Sequence, residues 1–136
     1  MILQTQTTSF KLELYSGVHN LSTNTLKVAL YTASANLDES TTVYSATNEV
    51  TGTGYVAGGV ALTGVTISSD GYTAFVNFSD AVFNASVTAR FAFIYNVTQG
   101  NKSIVVLDFG SDKTSTNFTI VMPATSASSA LIRSSN

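Results

Sequence analysis

Residues 89–109 read ARFAFIYNVTQGNKSIVVLDF, and this stretch decides the fold. Phe91, Phe93 and Tyr95 alternate with Ala92 and Ile94, so an extended segment here is apolar on both faces. Thr98-Gln99-Gly100-Asn101 marks a turn, and Ser103–Phe109 returns through Ile104, Val105, Val106 and Leu107. A hairpin that is apolar on both sides must be covered on both sides, which predicts a place at the centre of the fold. Gly110-Ser111-Asp112 is expected to end it.

Working outward, TLKVALYT (25–32) is a strand with Leu26, Val28 and Leu30 on one face. Val60–Ser68 is rich in β-branched residues, and Ser69-Asp70-Gly71 reads as a turn into a second strand from Tyr72 to Phe78. Asn117–Met122 is a further strand, stopped by Pro123, and Ala130–Arg133 adds a short last one. Before all of these lies a short helix, with Ser9 as its cap and Gly17 as its stop. About six to eight strands with frequent turn signals and little helix point to an all-β chain. The expected architecture is an antiparallel two-sheet β-sandwich, jelly-roll-like, in a single domain over 1–136 with an N-terminal arm and helix over 1–17.

Two stretches read as loops: Ala33–Val50, and the glycine-rich Gly52–Gly59. Long connections in compact domains are usually functional or ordered by a partner. The chain also has few charges to desolvate. Charged residues are 10 % of its 136, against about 25 % in an ordinary soluble domain. Such a surface is easily covered by a neighbour, although secreted β domains share the palette. The net charge of −2 offers neither a basic stripe for nucleic acid nor a polybasic patch for lipid. There is no cysteine, which excludes disulfides and thiolate metal sites. MILQTQTTSFKLELYSGV does not resemble a signal peptide, so synthesis in the cytoplasm is expected, with no membrane span.

Motifs that would carry chemistry are weak throughout. The glycine run lacks the Lys-Ser/Thr of a phosphate loop and leads into a strand, so close backbone packing is its simplest reading. His19 is the only histidine and has no metal-ligand spacing; a capping or neighbouring-loop contact suits it. Asp38-Glu39 and Asp108/Asp112 could serve a calcium loop, but no ligand ladder is present, and solvated turns explain them. Tyr15, Tyr31, Tyr44, Tyr55 and Tyr72 fall at strand ends or in loops, where a tyrosine anchors an interface or packs within the monomer. The chain is therefore expected not to be an enzyme and to need no cofactor or metal.

The segments FKLELYSGVHNL (10–21), LKVALYTASANLDESTTVYSATNEVTGTGYVAGGVALTGVTI (26–67) and VVLDFGSDKTSTNFTIVMPA (105–124) share a pattern. Together with the AR-x-A-x-IYN strand from Ala89, they resemble a small virion structural protein of tailed bacteriophages, from Phe10 to about Arg133. The resemblance implies a capsid decoration, or cement, protein on the exterior of the virion. Its partners would be the major capsid protein and further copies of itself, a trimer being the oligomer it suggests. Tail, neck or fibre-adaptor placement is the alternative within virions, and a carbohydrate-binding β-sandwich module is the alternative of another class. The candidate interface residues are Asp38, Tyr44, Gly54, Tyr55, Gly58 and Gly59, with the arm Met1–Thr8 and the tail after Pro123 as further contacts.

Overall fold

The computed structural model describes residues 2–135. Its elements are β1 (Leu3–Gln6), α1 (Thr8–Tyr15), β2 (Leu26–Tyr31), β3 (Val60–Ala61), β4 (Thr66–Asp70) and β5 (Thr73–Asn77). They continue with β6 (Ala81–Val82), β7 (Val87–Asn96), β8 (Lys102–Ser115), β9 (Thr119–Ile120) and β10 (Ile132–Ser134). The fold is all-β with one short helix, and each strand pairing is antiparallel.

The strands form a five-stranded sheet (β1-β8-β7-β2-β3), a three-stranded sheet (β10-β5-β4) and a two-stranded ribbon (β6-β9). This accords with the expected antiparallel β-sandwich, with β6-β9 as a separate two-stranded ribbon, and the strand order is not clearly that of a jelly roll.

The β7–β8 hairpin is central, as its two apolar faces require. Leu30, Ile94, Val105 and Leu107 face the main core, which also holds Phe10, Phe78, Phe118 and Ile132. Ala29, Tyr31, Phe93, Tyr95 and Val106 form a second cluster, covered by Ala35, Leu37 and Tyr44. The long connection between β2 and β3 is therefore the lid on the second face of the sheet.

Several boundaries differ from the sequence reading. The helix begins earlier: Thr7 caps it, its Oγ1 accepting from Phe10 N at 3.3 Å, while Ser9 lies in the first turn. Gly17 does close it, at φ +78°. The amino-terminal arm is not free, since Leu3–Gln6 adds an edge strand to β8. Its Gln4 and Gln6 amides reach across to the carbonyls of Ala130 and Arg133, joining it to the three-stranded sheet. Gly110 does not end β8. The strand carries on through it, at φ +84°, and pairs with β7 beyond a register shift between Ala89 and Phe91. The residues read as one strand from Val60 to Ser68 are split between two sheets.

Candidate functional site

Of the six candidate residues, the fold brings Tyr44, Tyr55 and Gly58 together, and they meet at Glu49. Tyr44 donates its hydroxyl to Glu49 Oε1 at 2.5 Å. Tyr55 donates to Oε2 at 2.5 Å, and the Gly58 N–H donates to the same oxygen at 2.8 Å. Tyr55 also accepts from the Leu30 N–H at 3.0 Å, so one phenol links the carboxylate to β2. Tyr95, on β7, donates to the Gly58 carbonyl at 2.6 Å and stacks on Tyr44 with centroids 4.6 Å apart. Tyr31 completes the group by donating to the Ser45 carbonyl at 2.7 Å.

The electrostatics follow from that geometry. Glu49 has no cationic partner within ion-pair distance among the described residues; its charge is met by hydroxyls and one amide. Burial first, and the Glu49 carboxylate second, push the Tyr31, Tyr44 and Tyr55 phenols well above the usual tyrosine range. The same causes push Tyr95 up to about 12. Each phenol therefore keeps its proton and remains a donor. Hydrogen bonds to a charged acceptor contribute about 1.5–3 kcal/mol each when well formed, so this hub fastens the 32–59 connection to the sheet.

The glycines serve the same closure. Gly59 has φ +82°, and a Cβ there would lie 1.8 Å from the Val28 carbonyl oxygen. The loop backbone thus rests directly on β2. Gly54, at φ +88°, lies against the Asn84 carbonyl, where a Cβ would approach to 2.5 Å. Gly58 is buried, and a Cβ on it would sit 3.3 Å from the Tyr95 hydroxyl. Only Asp38 stands apart. It is exposed, and its Oδ1 accepts from the Ser40 N–H at 2.8 Å and the Ser40 hydroxyl at 2.5 Å, a local turn that holds its carboxyl below the usual range.

Two further polar groupings were not assembled from the sequence. His19 is buried, donating from Nε2 to Glu13 Oε1 at 2.9 Å and accepting at Nδ1 from the Asn96 amide at 2.9 Å. The amide orientation is fixed because Asn96 also donates to Asn24 Oδ1 and accepts from Gln99 N. This clips the end of α1 to β7, and the histidine is buried against side chains of the helix and the strand, where the sequence suggested a capping or surface contact. Arg90 and Asp108 form an ion pair at 2.9 Å beside the β7 register shift. That contact, followed by the Gly110 N–H, holds the Asp108 carboxyl below its usual range.

No family model matches the chain, and neither a curated protein nor a solved structure matches it. The signal for the Glu49 hub was nonetheless present: Glu49 is the only charged residue between Glu39 and Asp70, with tyrosines on both sides of it.

Proposed function

We propose that this chain is a non-enzymatic structural protein of a tailed-phage virion, and that it acts as a capsid decoration protein bridging neighbouring major capsid subunits. The observation that carries the reading is an open apolar groove of about 660 Å³, with Ile2, Phe109, Phe118, Ile120, Val121 and Pro123 on its walls. It lies where the amino-terminal arm meets the segment leading into the tail, the regions expected from the sequence to make contacts. Val121 remains 66 % exposed. Covering such a surface gains about 25 cal/mol for each Å² of apolar area removed from water, and in a chain with few charges little opposes it. The 32–59 connection is locked inward against the second face of the sheet. Tyr44, Tyr55 and Gly58 therefore serve the monomer, and an interface would use the arm, the groove and the tail.

The test is the copy number of the chain in purified particles, by quantitative mass spectrometry against the major capsid protein. A ratio near one to one or one to three supports the decoration role. A ratio of one to many tens would move the chain to the tail or neck. Absence from particles would remove the virion reading.

A further inference from the structure

The edge of the three-stranded sheet is bare, and its pattern is self-complementary. In β4 each residue side chain is exposed. Gly71 has φ +58° and Tyr72 has no positive φ, so the β4–β5 turn is a two-residue loop of the II′ kind, closed by the Asp70↔Thr73 pair. Antiparallel pairs alternate between hydrogen-bonded and non-hydrogen-bonded. Counting back from the turn, Asp70, Ser68 and Thr66 bond to β5, while the N–H and C=O of Ser69 and Ile67 point outward. Nothing in the described chain meets those outward groups. The usual protections of an edge strand are missing, since β4 (TISSD) has no lysine, no proline and no register shift.

We propose that two copies of this chain pair antiparallel through their β4 edges, about a twofold axis at Ser68. The register follows from the bonds alone. Each copy's Ile67 N–H donates to the other's Ser69 carbonyl, and each Ser69 N–H donates to the other's Ile67 carbonyl. Ser68 then faces Ser68, and Thr66 faces Asp70, so the one charged residue of the strand meets a hydroxyl and never its own copy.

The pairing rests on the edge geometry and not on the virion reading. It is tested by sedimentation equilibrium of the purified chain, with amide hydrogen exchange at low and high concentration. A concentration-dependent dimer is expected, with Ile67 and Ser69 amides that exchange fast when dilute and slowly when concentrated, and with the Ser68 amide protected throughout. Ser69→Pro and Ile67→Pro each remove an outward donor from each copy while breaking no bond to β5. Each should weaken dimerisation by at least about tenfold while leaving the circular dichroism of the monomer unchanged. A monomer at the highest soluble concentration would overturn the pairing, as would a dimer indifferent to both substitutions. A trimer would overturn it too, while leaving the capsid role standing.

Discussion

Between Tyr31 and Val60 the backbone takes an irregular path, yet its inward-facing polar groups are met: Glu49 by two phenols and an amide, the Gly58 carbonyl by Tyr95, the Ser45 carbonyl by Tyr31. The β4–β5 hairpin pairs in one unbroken register, yet the outer edge of β4 bonds to nothing in the described chain. The irregular segment is closed and the regular one is open. Regular secondary structure and completed hydrogen bonding are separate properties, and the second decides where another molecule can join.

The sharpest way to break this comparison is at a glycine. Gly59→Ala forces a Cβ into the Val28 carbonyl at a positive φ, and should cost about 3 kcal/mol or more in chemical denaturation. Gly71→Ala, also at positive φ but with no atom near its Cβ, should cost only about 1–2 kcal/mol. Equal losses would mean that the loop does not rest on β2 as tightly as described.

Glu49→Gln comes next. An amide can accept from one phenol but turns its own N–H toward the remaining donors, so a loss of about 1–3 kcal/mol is expected. Faster exchange at the Gly58 amide should accompany it, and an unchanged amide would detach the hub from the loop's order.

Alkali probes the same hub without a substitution. The unfolded chain loses its tyrosine protons near pH 10, while the folded chain holds those of Tyr31, Tyr44, Tyr55 and Tyr95. Their stabilisation is therefore complete below about pH 10 and is lost above it, by about pH 12 for Tyr95. Phenolate absorbance should rise together with unfolding, and titration of all six tyrosines in a still-folded chain would contradict the buried cluster.

A smaller effect is expected at the Arg90–Asp108 pair. Asp108 is held below its unfolded value of about 4, so its contribution is present above that pH and is lost as the pH falls through the folded value. The carboxylate is 32 % exposed and solvent screens the pair, so Asp108→Asn should shift the acid midpoint only slightly. The smallest change belongs to the open region: Ile67→Thr in dilute solution should alter stability by no more than about 0.5 kcal/mol.

What could be read from the sequence follows the range of the interactions. The β7–β8 hairpin, β2 and the β4–β5 hairpin announce themselves by alternation and turn residues, because their pairing partners lie close in sequence or their burial is nearly complete. β1 was missed because Leu3-Gln4-Thr5-Gln6 has little apolar pattern and finds its partner only at Val105–Asp108. Gly110-Ser111-Asp112 reads as a stop because it is turn chemistry; in the fold the strand runs on through Gly110 at φ +84°. Tyr31, Tyr44 and Tyr55 looked equally suited to an interface or to the interior, and only the position of Glu49 in space decides between the two.

The seam between β1 and β10 has a consequence for synthesis on the ribosome. Gln4 bonds to the carbonyl of a residue 126 positions later, and Gln6 to one 127 positions later. β1 can neither join its sheet before β8 has emerged nor be fastened before β10 has. Throughout translation of the intervening residues, Leu3–Gln6 travels as an unpaired strand with its fastening glutamines unbound. The nascent chain can assemble the strands between β1 and β10 first, and the seam closes by recapturing β1 across all of them.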